Sequence, residues 1–166
     1  MVRIRDAGPD DAAALARVRS LSWRSAYDGL LPAEVIAAST GPDGEARQRE
    51  FLTEEPARRA LLAETDGEAV GMAVYGPDRD GDGDAELYVI YVLPGHWSKA
   101  VGRPLMDRVI EGVRACGYTR LTLWVLAGNE RARRFYERYG FAIIDKKITE
   151  RHGHVTYEIR YEREVR

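Results

Sequence analysis

Apolar positions along the chain recur with two different periods. Glu86-Leu87-Tyr88-Val89-Ile90-Tyr91-Val92-Leu93 is rich in β-branched and aromatic residues and stops at Pro94-Gly95, which predicts a strand closed by a breaker. Leu105, Met106, Val109, Ile110 and Val113 then recur at helical spacing, and Gly117 marks the stop. Pro104 fits only the first turn of that helix, where a proline loses no hydrogen bond, so the helix opens near Gly102. Its unpaired N–H groups face the turn that begins at Gly95, with Lys99 and Arg103 beside them. Such a helix start receives a phosphate or pyrophosphate.

The rest of the chain arranges itself around this strand–turn–helix. Val2 to Arg5 reads as a first strand, and Pro9-Asp10-Asp11 starts a helix carrying Leu15, Val18 and Leu21. Trp23, Tyr27, Leu30, Leu31 and Pro32 form an apolar cluster at its end, broken at Asp28-Gly29. Residues 33–53 predict one or two shorter helices interrupted by Gly41-Pro42-Asp43-Gly44. Strands over Ala60–Glu64 and Ala69–Tyr75 flank Asp66-Gly67, a hairpin signal. A loop from Pro77 to Asp84 leads into the central strand. After the central helix come a strand over Leu121–Leu126, a helix from Glu130 to Tyr139 capped by Gly140, and closing strands over Phe141–Ile144 and Val155–Tyr161. The order predicts an α/β fold with a mixed sheet and helices on both faces. No repeat, low-complexity tract or linker divides residues 1–166, so one domain is expected.

Composition narrows the setting. The 166 residues are 45% hydrophobic and 31% charged, which is ordinary globular usage for a single core. With 25 Lys and Arg against 27 Asp and Glu, no global charge argues for a nucleic-acid partner. The single Cys116 excludes an internal disulfide framework and suits a reducing compartment. The N-terminus lacks a signal-peptide apolar core and no run reaches membrane-spanning length, so a soluble cytoplasmic protein with no membrane partner is expected.

A second stretch sharpens the reading. Asn129-Glu130-Arg131-Ala132-Arg133-Arg134-Phe135-Tyr136-Glu137-Arg138-Tyr139-Gly140-Phe141, taken with Tyr91-Val92-Leu93-Pro94 and Val101-Gly102-Arg103-Pro104-Leu105-Met106, strongly resembles the GCN5-related N-acetyltransferase (GNAT) family. The resemblance runs from Val2 to about Tyr161. Ser22-Trp23-Arg24 to Tyr27, then Gly29-Leu30-Leu31-Pro32, resembles a subset of small-molecule acetyltransferases in that family. It implies a mostly antiparallel mixed sheet splayed between its two central strands at a bulge, one N-acetyltransferase domain, and acetyl-CoA as co-substrate. It further implies direct acetyl transfer to an amine acceptor in a ternary complex. The acceptor is a small molecule, a peptide or a protein amine, and homodimers are common among such proteins.

The same resemblance assigns residues. The pyrophosphate loop usually reads Gln/Arg-x-x-Gly-x-Gly/Ala; here Trp97, Ala100 and Gly102 hold those positions, with Ser98 where another glycine is frequent. Trp97, Ser98, Lys99, Ala100, Val101, Gly102 and Arg103 are thus the expected pyrophosphate-binding residues, acting through backbone donors. Ala100 is harmless there if its φ is negative and costly if positive. Backbone groups near Val92 would pair with the pantetheine arm as an added strand does, and Asn129 is both a natural N-cap and an implied pantetheine contact. Tyr136 is implied to lie beside the sulfur of CoA, where hydrogen-bond stabilisation of the leaving sulfur is its expected role; a core tyrosine is the alternative.

An acceptor of lysine-like pKa (~10.4) is neutral in only about one molecule in 2,500 at pH 7, a cost of roughly 4.6 kcal/mol, so a base is expected. Glu86, where histone-type members carry their catalytic glutamate, is the candidate; Tyr88 through water, His96 and His154 are the alternatives. Trp23, Tyr27 and Tyr88 are expected to wall the acceptor pocket, with core packing the alternative for the first two. Asp78-Arg79-Asp80-Gly81-Asp82-Gly83-Asp84 has a calcium-loop look, but position twelve is Val89 and no helices flank it, so it reads as a solvated acidic hairpin loop and no metal is expected. The rival classes are a noncatalytic acyl-CoA-binding protein on the same fold and a Rossmann-type nucleotide binder, which lacks its G-x-G-x-x-G spacing here.

Overall fold

A computed structural model describes residues 1–81, 83–97 and 100–166. Seven strands form one sheet in the order β1-β2-β3-β4-β5-β7-β6. They are β1 (Arg3–Ala7), β2 (Arg59–Thr65), β3 (Glu68–Pro77), β4 (Ala85–Val92), β5 (Arg120–Leu126), β6 (Ala142–Arg151) and β7 (His154–Glu164). Every neighbouring pair is antiparallel except β4 and β5. The β2–β3 turn has both Asp66 (φ 52) and Gly67 (φ 80) left-handed, as a tight two-residue hairpin requires.

Alternation along the inner strands sends side chains to two cores. Ala60, Leu62, Met72 and Val74 pack against Leu15 and Val18 of α1 (Ala12–Ala26) and Leu52 of α3 (Gly44–Glu54). Leu61, Ala63, Ala73, Leu87, Leu121 and Leu123 point the other way. They meet Leu105, Met106, Val109, Ile110 and Val113 of α4 (Gly102–Ala115) and Tyr136 of α5 (Glu130–Arg138). A short α2 (Ala33–Ser39) buries Val35 and Ile36 against Trp23 and Leu31. Among the described residues no helix is long and apolar enough to cross a membrane.

β4 and β5 pair only at Ala85↔Leu121 and Glu86↔Thr122. Just past these pairs Tyr75 faces Leu87 while Val74 faces Val89, so Tyr88 is an extra residue in β4. This bulge bends β4 away, and a gap opens between the two central strands. A carboxylate fixes the point of parting. Asp78 accepts hydrogen bonds from Thr122 Oγ1 of β5 (2.9 Å) and from the Arg160 guanidinium of β7, and Thr122 Oγ1 also lies 3.2 Å from the Ala85 carbonyl of β4. Asp78 is buried, so the solvated acidic loop expected from sequence is solvated only in part. Asp82 lies outside the described residues.

The last hairpin differs from expectation. β6 continues past Ile144 to Arg151, pairs with β7 throughout, and turns at His152 (φ 48) and Gly153 (φ 79). Asp145 to Glu150 carries no apolar alternation because β6 is an edge strand, exposed along most of its length, and pairing with β7 alone makes it a strand.

Asp78→Ala would leave the Thr122 hydroxyl without its carboxylate and Arg160 with Asp80 at 3.7 Å. It should therefore lose about 1–3 kcal/mol of stability in urea unfolding, less than the about 3–5 kcal/mol of a fully stranded buried charge. Asp43→Ala, which removes an exposed partner of Arg47, should stay within about 0.5 kcal/mol.

Candidate functional site

The gap between β4 and β5 opens into two connected spaces. On the α1 side lies a cavity of about 380 Å³, walled by Trp23, Tyr27, Tyr88, Tyr91, Trp124 and Glu158 among others. On the α4 side a groove of about 820 Å³ runs between α4 and α5, lined by Trp97, Ala100, Gly102, Arg103, Phe135 and Tyr139 among others. Ile90, Val92, Arg131, Ala132 and Tyr136 border both.

Tyr136 stands at this junction because α5 begins directly below the end of β5. Asn129 caps the helix, its side chain accepting from the Ala132 amide at 3.3 Å. Arg133 ties the cap down, donating to the Ala127 carbonyl and the Tyr161 hydroxyl, both at 3.0 Å. Tyr136 is 8% exposed and its ring packs on Phe135, Phe141 and Tyr161. Burial pushes its phenol well above the usual tyrosine range, with Tyr91 adding to the effect, so the proton stays on. Tyr91 belongs to the same aromatic group. Trp23 Nε1 donates to its hydroxyl at 2.9 Å, and Tyr27 meets Trp23 edge-on at 4.7 Å. Tyr27 is likewise held protonated, first by burial and then by Tyr91. Trp23 and Tyr27 are therefore both packed residues and cavity wall.

The groove begins at the α4 N-terminus. Val101, the N-cap, offers no side-chain cap, and no acidic residue lies in the first turn, so the leading amides meet no carboxylate from their own turn. Val101 itself points into the core. Ala100 adopts φ 53, the left-handed conformation, at about 1–2 kcal/mol for a residue with a Cβ. Trp97 donates its indole N–H to the Val92 carbonyl at 2.7 Å, and the Arg131 guanidinium stacks on its ring at 3.1 Å. Arg103, Arg114, Arg131, Arg138 and Arg163 make the lining basic, with Asp107 and Glu111 opposing them. Ser98 and Lys99 lie outside the described residues. A groove with a bare helix start at one end, an open strand gap at the other and guanidinium groups between fits an extended anionic ligand with an apolar arm.

Glu86 is placed differently from the base expected. It is 1% exposed, and both carboxylate oxygens are taken by Arg79, from Nη2 at 2.6 Å and Nε at 3.1 Å, with the Arg79 amide adding a third donor at 3.0 Å. Arg79, not Glu86, reaches the cavity wall. Tyr88 does line it, but its hydroxyl is spent on the Pro77 carbonyl and burial pushes its phenol up to about 12. His96 and His154 are not among the described residues that line either space.

Sequence reasoning missed four charged residues of the cavity: Arg19, Arg79, Arg151 and Glu158. Glu158 is 6% exposed, accepting from Thr149 Oγ1 (2.8 Å) and Arg151 Nη2 (3.0 Å). The alternation of Thr156, Glu158 and Arg160 along β7 was a legible sign of a polar face turned inward.

A profile of the acetyltransferase (GNAT) family matches residues 16–141. An uncharacterized N-acetyltransferase of Mycobacterium tuberculosis is 36% identical over 134 residues, covering 80% of this chain and 84% of that protein. One from Bacillus subtilis is 28% identical over 142 residues, covering 84% and 79%. In fold, the chain superposes on the PaiA N-acetyltransferase of Thermoplasma acidophilum, solved in complex with coenzyme A, with a TM-score of 0.80, 20% identity and 99% of each chain covered. The profile match spans most of the sheet, both helices of the groove and Tyr136 itself: this chain belongs to the acetyltransferase (GNAT) family and is an N-acetyltransferase.

Proposed function

We propose that the protein transfers an acetyl group from acetyl-CoA to a primary amine by direct attack, with the two substrates entering from opposite sides of the β4–β5 gap. The observation that carries this reading is the junction itself. A basic groove and an aromatic cavity share a border at Tyr136, and a structure of the same fold was solved with coenzyme A. Bound in the groove, acetyl-CoA supplies a thioester acyl group whose thiol must regain a proton.

Each residue then has a task. The amides of Gly102 and Arg103, with the arginine-rich lining, hold the pyrophosphate, and Trp97 and Ala100 shape the turn in front of them. Ser98 and Lys99, which lie outside the described residues, are assigned to pyrophosphate binding by the family resemblance of their sequence positions. Val92, whose carbonyl takes the Trp97 indole N–H, and Asn129 flank the pantetheine arm. Tyr136 keeps its proton and gives a hydrogen bond from its Oη to the departing sulfur, while the proton the amine loses on forming the amide is the one the thiol gains. Trp23, Tyr27 and Tyr88 confine the acceptor. Glu86 fixes Arg79 in the wall, and Glu158 is the one carboxylate among the described residues that faces the amine side.

Acetyl-CoA should raise the melting temperature, and dephosphorylated pantetheine should do so much less. A Cβ at Gly102 would meet Phe135 no closer than 3.5 Å, so Gly102→Glu should fold. Its charge at the helix start should abolish the shift. Equal shifts from both ligands would remove the acyl-CoA reading.

Tyr136→Phe keeps the ring and loses only the hydroxyl. The rate constant kcat should fall by about 10² while acetyl-CoA affinity moves less than about twofold. Because the phenol stays protonated, that ratio should be constant between about pH 6 and 9. Wild-type kcat with chemistry rate-limiting would make Tyr136 a core tyrosine.

Glu86→Gln should lower the rate by the same factor at every pH, since it loosens Arg79. A loss concentrated at low pH, recovering as the amine deprotonates itself, would instead assign Glu86 the base role expected from its strand position.

A further inference from the structure

We propose that the acceptor amine also carries a carboxylate, as an α-amino acid with an apolar or aromatic side chain does, and that Arg19, Ser22 and Arg151 receive that carboxylate. The proposal rests on the acetyltransferase reading above and names the substrate class of the same cavity.

Arg19, Ser22, Trp23 and Ala26 share one face of α1, three and four residues apart, and all four line the cavity. Ser22 is 2% exposed, and among the described residues its hydroxyl has no hydrogen-bond partner. Arg151 reaches the same wall from the end of β6. Its Nη2 is bonded to Glu158, but its Nε is buried without a partner among the described residues. The two guanidinium groups gather on one indole, Arg19 at 4.6 Å and Arg151 at 5.9 Å from the Trp23 ring centroid. A buried donor left unpaired is costly, so two of them on one cavity wall mark a place built for acceptor atoms. A carboxylate offers acceptors only and takes a hydroxyl and a guanidinium edge together.

Charge points the same way. Arg79 is matched by Glu86, and Arg151 by Glu158. Arg19, which donates to the Ser39 carbonyl at 2.6 Å, and Arg131 remain without a carboxylate among the described residues. The cavity thus carries excess positive charge and disfavours a plain amine or a polyamine, whose ammonium groups would meet it uncompensated. An amino acid brings its own counter-charge to the Arg19–Arg151 wall, and its amine can turn toward Glu158 and Tyr136. Phe51, Tyr27, Tyr88 and Trp124 line part of the same cavity, about 380 Å³ in all, and offer aromatic surface to the side chain.

The test compares amines that differ only in the carboxylate: L-phenylalanine against phenethylamine, and L-leucine against isoamylamine. Free-thiol release from acetyl-CoA gives kcat/KM, corrected for the fraction of free amine. The melting temperature of the CoA-loaded protein reports binding without turnover. The amino acids should exceed their decarboxylated partners by about tenfold or more in kcat/KM and give the larger thermal shift. Ser22→Ala and Arg151→Gln should collapse that ratio toward one, through KM more than kcat. If Arg151→Gln fails to fold, Ser22→Ala and Arg19→Gln still decide. Decarboxylated amines that bind and react as well as the amino acids, or a ratio untouched in the variants, would overturn the proposal. Failure of the acetyltransferase reading looks different: no thiol release from any amine and no thermal shift from acetyl-CoA, whichever amine binds.

Discussion

Asp78 sits where three strands must agree. Its carboxylate joins Thr122 of β5 to Arg160 of β7, and Thr122 in turn touches the first residue of β4. With those strands held together at one end, the bulge at Tyr88 can only swing the other end of β4 away from β5. A buried carboxylate is costly unless its lone pairs are filled, and here the hydroxyl, the guanidinium and the Asp80 amide at 2.8 Å fill them. Both spaces of the site are consequences of that single hinge. A sheet paired along its full length would have no opening for either substrate.

The parting also determines which groups are available for chemistry. Beyond Glu86, β4 keeps its ladder with β3 and loses the one with β5, so its other edge is open to a ligand up to the Val92 carbonyl, which takes the Trp97 indole. Upstream of the parting, the same strand buries Glu86 behind Arg79. Two carboxylates on different strands therefore have different fates: Glu86 is enclosed behind Arg79, while Glu158 lines the cavity. Strand position alone could not separate them, because what matters is the distance from the hinge.

That contrast explains what the sequence made legible. The strand–turn–helix at Glu86 to Gly117, the Asp66-Gly67 hairpin and the Asn129 cap are local signals, each set by a few adjacent residues, and each appears in the fold as read. The reach of β6 to Arg151 was hidden because an edge strand needs no apolar alternation, only a partner. The Arg79 partner of Glu86 was hidden for a related reason. The acidic run around Asp78 looks uniformly solvent-facing in sequence, yet Asp78 is buried and Asp80 is bonded to Trp124. Long-range pairing, not composition, decided those side chains. The cavity arginines come from α1, the β3–β4 loop, α5 and the β6–β7 hairpin, and no window of sequence contains them together.

At the groove the chain accepts strain that the cavity does not. Ala100 holds a left-handed φ that a glycine would adopt freely, and it does so immediately before the helix whose amides form the anion site. Val101, completely buried, anchors the next residue, and Gly71 lets β3 pass close beneath it, since a Cβ there would come within 3.0 Å of Leu105 and 3.2 Å of Val101. The turn is thus pinned from below by packing, and its backbone is forced upward. Core packing against β3 therefore sustains the unfavourable torsion at Ala100. The same packing keeps the α4 amides aimed along the groove, so the rigidity of the sheet, not of the turn itself, holds the anion site in place.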